Sequence, residues 1–385
     1  MSIDLTTLIT NLQADVDAVD SSTSMSSILS LMHKARKITS ISNYYDSAGL
    51  LPVDSAYDGM LAFSKADNTM YKFVDSGLDA GTVQGWHKAD SAYSSGGASN
   101  QITGATTGYL LAINTQKFPF AASTSSTTII TQPSWNNGIA QYNGGAAHST
   151  THAYYAGGYN YPPSSASDTI QKFPFASEDA YSDVGNLTVS RIHVAGVSST
   201  THGYGVGGWP AGGDVIDKYA FASDGDATDV GDLPSARFEV TGVQSETHGY
   251  SYSGDGVNIE KFSFASDGNS TPVGNKYHNV YYAGDNSQSP THGYRIGGYG
   301  PPGDNNSIEK TAYASDGNGT DVGDITVARR QADNASSNDG YIYTVGGRNP
   351  SPTNIMERTS YSVDGNSVDV GDLASAASQA GGAHV

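Results

Sequence analysis

Short runs of alternating aromatic and polar residues recur along most of the chain. The pattern is clearest in Gln116-Lys117-Phe118-Pro119-Phe120, and an alternation of this kind is typical of a half-buried β-strand. Six versions of the run occur, and their basic residues are separated by steps of 55, 46, 43, 49 and 48 positions. These basic residues are Lys117, Lys172, Lys218, Lys261, Lys310 and Arg358. Such a period is typical of the blades of a β-propeller, each of which is a four-stranded sheet.

Two further phrases accompany each run. A Tyr-x-x-Gly-Gly phrase precedes it, in which the glycine pair lets the backbone turn or approach a neighbour closely. An Ala-Ser-Asp-Gly phrase and then Asp-Val-Gly-Asp follow it, as in 222–232 and 314–324, and these residues favour turns. The first phrase occurs at Tyr93 with Gly96-Gly97, Tyr154 with Gly157-Gly158, Tyr204 with Gly207-Gly208, Tyr294 with Gly297-Gly298 and Tyr343 with Gly346-Gly347, and in degenerate form at Tyr250 with Ser253-Gly254.

The two ends of the repeat region predict a closed ring. The first copy starts directly at Tyr93, which leaves its blade one strand short and places a long insertion at 98–115. After the last copy, the strand-like segment 374–385 remains. We expect this segment to supply the strand that the first blade lacks, because closing the ring removes exposed sheet edges.

The region before the repeats has a different pattern. Apolar residues with helical spacing predict a first helix, and Ile28, Leu29, Met32 and Ile38 mark a second one. We expect 1–50 to be a helical docking segment, since a short amphipathic pair of helices usually packs on a partner. Residues 51–90 are predicted to form a small β module, with a hairpin built from 59–63 and 69–73. The docking residues of the first helix are Leu5, Ile9, Leu12, Val16 and Val19.

Composition narrows the class of partner. The chain has 385 residues, a formal net charge of -19 and no cysteine. Strong negative charge disfavours nucleic acid and anionic membranes as partners. The lack of cysteine excludes disulfides, thiolate metal sites and cysteine nucleophiles. The start of the chain shows no secretory signal pattern, and no run approaches the roughly 18 apolar residues of a membrane span, so no membrane insertion is expected.

The order of the phrases resembles the kelch repeat. In that repeat an arginine near the start of one strand precedes the Tyr-containing strand that ends in Gly-Gly. The tryptophan that follows the third strand of a kelch repeat is missing here, and several copies lack the arginine. The resemblance implies a mainly β protein with a six-bladed kelch-like propeller over 91–385, behind the small N-terminal helical and β-hairpin module. Arginines stand 13 or 14 positions before the tyrosine in the pairs Arg191 and Tyr204, Arg237 and Tyr250, and Arg329 and Tyr343.

The overall arrangement also resembles structural proteins of marine tailed bacteriophages. Helices come first, then a Gly-x-Leu-Ala-Phe hairpin with a trailing Gly85-Trp86, then Tyr- and Gly-rich repeats. Cyanophage tail and fibre proteins resemble the chain in this overall arrangement and in the wording of the repeats. The resemblance implies a virion protein assembled in the host cytoplasm, a homo-oligomer in the particle. Its N-terminus docks to other virion proteins, and its propeller is exposed for attachment to a host-surface glycan or protein.

Several residues are candidates for chemistry. His152, His202, His248 and His292 recur in Thr-His-Gly/Ala-Tyr, with Tyr341 and Ser91 at the matching positions of the other copies. A side chain needed once per blade and replaceable by tyrosine indicates packing or hydrogen bonding rather than catalysis.

The acidic turns have two interpretations. Asp224, Asp226 and Asp229 form one such turn, and Asp316 and Asp321 belong to another. Closely spaced carboxylates are weak candidates for calcium, which takes several oxygen ligands, but the same residues are also ordinary turn formers. No other metal site and no cofactor is expected.

Recognition is the remaining type of chemistry. Loops that differ between blades carry the aromatic residues Tyr159, Tyr161, Trp209 and Tyr299, which suit a carbohydrate or protein surface or else serve strand packing. No catalytic motif is present, so we do not expect an enzyme. The sequence therefore predicts a tail fibre or tail-associated protein. A capsid decoration or purely architectural virion protein and a glycan-processing enzyme are the alternatives.

Overall fold

The chain divides into two compact units, Met1–Ala98 and Ser99–Val385. In the first unit the computed structural model describes four backbone strands, and in the second it describes 106–385 except for 112–113, 121–123, 132–139, 162–163, 255, 285–286 and 338–339. The predicted helices, including Leu5, Ile9, Leu12, Val16 and Val19, lie outside the described residues.

The first unit contains a four-stranded sheet. Its order is Tyr44–Tyr45, Leu61–Ser64, Thr69–Val74 and Gly85–Lys88. The second and third strands pair antiparallel as a hairpin, in the segments where the sequence predicts one. The first strand joins the second in parallel, and the fourth joins the third antiparallel.

The second unit is a six-bladed β-propeller. From the innermost strand outward, blade 1 contains Gly381–His384, Thr107–Leu111, Asn114–Pro119 and Thr127–Thr131; blade 2 contains Gly145–His148, His152–Ala156, Thr169–Pro174 and Ser182–Asn186; and blade 3 contains Ala195–Ser198, His202–Val206, Val215–Ala220 and Thr228–Asp232. Blade 4 contains Thr241–Gln244, His248–Tyr252, Asn258–Ser263 and Thr271–Asn275; blade 5 contains His292–Ile296, Ser307–Ala312 and Thr320–Asp324; and blade 6 contains Arg330–Ser336, Tyr341–Arg348, Thr353–Ser360 and Val368–Ala377.

Short additional strands decorate the blades. The strand Thr124–Ser125 adds in parallel to the outer strand of blade 6. The others form small ribbons near the inner strands: Ala140–Tyr142 with Tyr159–Tyr161 and Ser165–Ala166, Arg191–Ile192 with Trp209–Pro210, and Tyr299–Gly300 with Gly303–Asp304. No helix occurs among the residues that the structure describes.

The same register recurs in every blade and corrects one sequence assignment. The repeated tyrosine lies opposite the repeated basic residue, as Tyr154 does with Lys172. In blade 1 the residue opposite Lys117 is Tyr109, so the assignment of Tyr93 to this position is wrong. The signal was missed because Leu110-Leu111 follows Tyr109 in the strand, without the glycine pair of the other copies. The predicted insertion at 98–115 therefore contains a blade strand.

The end of the chain closes the ring, as the sequence predicts. Gly381–His384 pairs antiparallel with Leu111–Gly108 as the innermost strand of blade 1. The carbonyl oxygen of Val385 accepts hydrogen bonds from the backbone N–H groups of Thr106 and Thr107, over 2.7 and 2.9 Å. The chain therefore completes its first blade with its last strand.

The hydrophobic core lies between the blades. The repeated tyrosine of one blade stacks on the second aromatic residue of the Phe-x-Phe run in the next, as in Tyr154 with Phe221 at 4.7 Å between ring centroids and Tyr204 with Phe264 at 5.2 Å. The inner strands are packed so closely that a Cβ added to Gly196 would come within 2.0 Å of the carbonyl oxygen of Ala146. Glycine and alanine near the axis therefore allow the blades to converge.

Buried ion pairs between an arginine and an acidic residue lie within several blades. Arg191 donates to the carboxylate of Asp217 over 2.5 Å, with both side chains fully buried. Arg329 and Glu357 form the equivalent pair in blade 6. In blade 5 the arginine comes instead from the second strand, where Arg295 donates to an acid of the third strand over 2.6 Å. The arginine position was visible in the sequence, whereas its acidic partner, just before the repeated basic residue, was missed.

Candidate functional site

Six residues with left-handed backbone surround one end of the propeller axis. Each blade contributes one, and each stands two residues before a segment that lines the axis. None is glycine, although a positive φ is uncommon in other residues and costs about 1–3 kcal/mol at each position. Strained residues cluster at functional sites, which makes this ring a candidate site. The residues, with their φ angles, are Asn143 (60°), His193 (56°), Glu239 (58°), Tyr282 (61°), Gln331 (56°) and Gln379 (62°).

Backbone hydrogen bonds link five of these residues, from Tyr282 round to His193, into a belt. The left-handed conformation turns the N–H group of one residue toward the carbonyl group of the equivalent residue in the preceding blade. The bonds run from His193 N to Asn143 O (2.7 Å), from Asn143 N to Gln379 O (3.2 Å), from Gln379 N to Gln331 O (3.3 Å) and from Gln331 N to Tyr282 O (2.7 Å). The belt offsets part of the backbone strain and leaves the six side chains to surround the axis.

The six residues and Asp333 line an axial cavity of about 60 Å³ that is open on one side. A water molecule takes about 30 Å³ of liquid volume. The cavity therefore has room for one small polar group at the end of a larger ligand. We call it the axial cavity below.

Electrostatics in the axial cavity are set by burial. Burial raises the pKa of Asp333 to about 7, although the N–H group of Ala380 donates to its Oδ2 atom. Burial also lowers the pKa of His193 to about 4, so this imidazole is neutral at pH 7. Burial, and then a hydrogen bond to the carboxylate of Glu239, raises the pKa of Tyr282. The ring of Tyr282 meets that of His193 edge-on, with 5.6 Å between centroids.

The predicted recognition loops lie beside this ring. Backbone pairing joins Tyr159 to Tyr142, Trp209 to Ile192 and Tyr299 to Tyr281. Each of the second residues directly precedes a member of the ring, namely Asn143, His193 and Tyr282. The backbone of Tyr161 pairs with Ala140 in the same ribbon as Tyr159. The structure therefore brings the four predicted residues to the end of the propeller where the axial cavity lies, and the side chain of Trp209 is 56% exposed there.

The repeated histidines lie at the other end of the second strand. In each copy the Nδ1 atom of the histidine is 2.8 Å from the hydroxyl of the preceding threonine, as in Thr151 and His152. Burial, followed by the charge of Lys172, lowers the pKa of His152. The blade 1 residue in this register is Thr107, which faces Pro119 as His152 faces Pro174, so the assignment of Ser91 is wrong.

The acidic turns contact the neighbouring blade. Asp224 accepts a hydrogen bond from Lys172 over 2.8 Å, and Asp226 accepts bonds from the backbone and side-chain nitrogens of Asn186 over 2.9 and 3.1 Å. Asp316 accepts from Lys261, while Asp229 and Asp321 accept from backbone N–H groups of their own strands. Within the described part of the chain, no three His, Asp or Glu side chains are placed together to hold a metal ion.

Sequence reasoning missed the six-residue ring because five residue types, with glutamine alone occurring twice, occupy its six positions. A repeat search finds residue types that recur, whereas here only the position and the backbone conformation recur.

No protein-family model matches the chain, and no curated protein matches it. No helix in the described segments is long and apolar enough to cross a membrane.

Proposed function

We propose that the propeller is a recognition module that binds the end of a surface glycan at the axial cavity. The observation that carries the proposal is the ring of six strained residues with six hydrogen-bonding side chains around one cavity. Structural positions of the repeats keep their residue types from blade to blade, so a shared position at which the types differ is the pattern expected of a binding site. Amide, carboxylate, phenol and imidazole groups together suit a polyhydroxylated ligand.

Aromatic side chains beside the ring support the same proposal. Trp209 is more than half exposed, next to the segment that carries His193. Tyr299 is stacked under the guanidinium group of Arg330 at 4.6 Å, and Arg330 in turn donates to Asp304 over 2.8 Å. Aromatic faces with polar neighbours provide the contacts that sugar rings need beyond the cavity itself.

A glycan array tests this function when the full chain is compared with its Tyr282→Gly variant. Glycine adopts φ near +60° without strain, so the variant keeps the backbone and loses the side chain. We expect the wild type to bind a subset of glycans and the variant to lose at least tenfold in affinity while its melting temperature stays equal or rises. The control is Ser164→Gly, which relieves a φ of 61° outside the axial cavity. The proposal fails if no glycan binds, or if both variants bind as the wild type does.

We further propose that the chain is a virion structural protein of a tailed phage, a tail fibre or tail-associated protein whose N-terminal region docks to the particle. The support is the sequence arrangement of helices, hairpin and Tyr- and Gly-rich repeats. Particles assembled with protein lacking residues 1–50 test this assignment. We expect the truncated protein to be absent from purified particles, and its incorporation would contradict the docking role.

We also assign the repeats to the kelch type. The support is the pair of buried ion pairs that Arg191 and Arg329 form with acidic residues.

Glycan hydrolysis is a second candidate function. It is favoured by one observation, the presence of Glu239 and Asp333 in the lining of the same cavity, because paired carboxylates carry out glycoside hydrolysis. The volume of about 60 Å³ favours binding, since it has room for one small polar group rather than for a whole sugar ring. Incubation of the bound glycan with the full chain, followed by mass analysis of the products, separates the two functions: intact glycan supports binding alone.

A further inference from the structure

The ionisable groups that line the axial cavity are of one sign. Glu239 and Asp333 contribute carboxyl groups. Among the described residues, no lysine or arginine lines the cavity, and its one histidine, His193, is neutral at pH 7. An anionic group entering this space would meet the acidic side chains of Glu239 and Asp333 and no lysine or arginine of the lining, which is unfavourable at a partly desolvated site.

The two carboxyl groups are held differently. Glu239 lies within hydrogen-bonding reach of the phenol of Tyr282. Asp333 is only 6% exposed, and its Oδ2 atom accepts the N–H of Ala380 over 3.2 Å. A carboxyl group buried to this degree is costly as an anion unless donors or a cation reach it, and Asp333 lines the axial cavity.

Other polar groups of the ring complete a set of acceptors. The Oε1 atom of Gln331 is buried without a hydrogen-bond partner among the described residues. Gln331, the two acidic residues and Tyr282 all line this space, which has room for about two water molecules. A group with three N–H donors and a positive charge satisfies acceptors on several sides at once, and an ammonium group is of that kind.

We propose that the axial cavity binds the ammonium group of an amino sugar in the glycan, with Glu239, Asp333 and Gln331 as its acceptors. This inference rests on the proposed glycan-binding function and specifies its ligand. It implies that an acetylated amino sugar binds weakly, because the acetamido group is larger and uncharged. It also implies that sugars with a carboxylate are rejected.

Calorimetric titration of the full chain at pH 7 tests the proposal with two probes that differ only in acetylation. These are the β-1,4-linked tetramer of glucosamine and the tetramer of N-acetylglucosamine. We expect the free amine form to bind at least tenfold more tightly than the acetylated form. Glu239→Gln and Asp333→Asn should each reduce that preference to less than threefold. The control Glu246→Gln removes one carboxylate outside the axial cavity and should leave the preference unchanged.

Further titrations separate this inference from the function on which it rests. Equal binding of both tetramers, abolished by Tyr282→Gly, overturns the ammonium assignment and leaves glycan recognition standing. Glycan-array binding that is insensitive to Tyr282→Gly overturns both. Binding of Nα-acetyl-lysine amide without binding of the glucosamine tetramer overturns the sugar as the source of the ammonium group. Tight binding of Ca²⁺ that competes with the tetramer identifies a metal site instead and also overturns the proposal.

Discussion

Lys172 in the third strand of blade 2 donates to Asp224 in the turn of blade 3, with 2.8 Å between Nζ and Oδ1. An equivalent ion pair joins each of blades 1 to 5 to the blade that follows it. The other pairs are Lys117 with Glu178, Lys218 with Asp267, Lys261 with Asp316 and Lys310 with Asp364. Two of the repeated sequence phrases are therefore the two halves of one contact between blades. In blade 6 the equivalent residue, Arg358, lies over the ring of Tyr341 at 4.0 Å.

Removing one of these pairs should weaken the propeller only slightly. The side chains of Lys218 and Asp267 are 21% and 52% exposed, and ion pairs of such exposure contribute about 0.2–1 kcal/mol. We expect Lys218→Met and Asp267→Asn each to lower the free energy of unfolding by less than about 1 kcal/mol. A double-mutant cycle by denaturant unfolding measures the coupling, which should shrink in 1 M salt. A coupling that does not change with salt would contradict this account.

The acidic turns should stabilise the fold without calcium. Asp226 accepts two hydrogen bonds from Asn186 of the preceding blade, so its carboxylate is engaged by protein donors. We expect Asp226→Ala to lower the free energy of unfolding by about 1 kcal/mol, as for the loss of a charge-assisted cap. Melting curves of the wild type with EDTA and with added Ca²⁺ should coincide. A drop in the melting temperature with EDTA would restore the calcium interpretation.

The buried pair in blade 3 should respond much more strongly. Asp217 accepts from Arg191 and also from the backbone N–H and the hydroxyl of Thr188, over 3.1 and 2.7 Å. Asp217→Asn leaves the guanidinium group buried without its counter-charge, which costs about 3–5 kcal/mol. Chemical denaturation should show this loss. The double variant Arg191→Met with Asp217→Leu serves as the control and should recover part of it, because no charge then remains buried.

Asp333 should make stability depend on pH. Burial raises the pKa of this carboxyl from 3.8 in the unfolded chain to about 7 in the fold. Between these values the unfolded state releases the proton while the folded state keeps it, so the free energy of unfolding falls as pH rises from about 4 to 7. Each pKa unit corresponds to about 1.4 kcal/mol.

Comparison of the wild type with Asp333→Asn isolates this contribution. The asparagine oxygen still accepts the Ala380 N–H, and the variant cannot ionise. We expect the difference in unfolding free energy between variant and wild type to increase in favour of the variant from pH 5 to pH 8. A constant difference across this range would show that Asp333 does not titrate as described. Glu239 and His193, which line the same cavity, are present in both proteins and cancel in the difference.

The blades were predictable from the sequence because their packing repeats. The tyrosine, the basic residue and the glycine pair make equivalent contacts in the repeated blades. They therefore recur along the sequence at similar spacings. The glycines Gly207 and Gly208, for example, have φ angles of 64° and 121°, as the turn after the second strand requires. Closure by the last strand was predictable for the same reason, since a blade was one strand short.

The axial cavity was not predictable, and blade 1 was misplaced, for related reasons. The ring residues share a backbone conformation that no residue type encodes, and Tyr282 or Glu239 at a positive φ is contrary to local preference. No glycine pair follows Tyr109. Tyr93, which lies further from Lys117 in the sequence, therefore matched the Tyr-x-x-Gly-Gly phrase better. The acidic turns were ambiguous because only the folded ring shows that Asn186 and Asp226 belong to neighbouring blades.

The position of a bound oligosaccharide in an experimental structure of the full chain tests the recognition proposal most directly. The complex should be prepared with the tightest-binding glycan from the array. The account predicts the terminal sugar on the propeller axis, with one group in the cavity between Glu239 and Tyr282 and the rest of the glycan toward Trp209 or Tyr299. An oligosaccharide bound on the outer side of a blade, or at the end that carries His152, would contradict it.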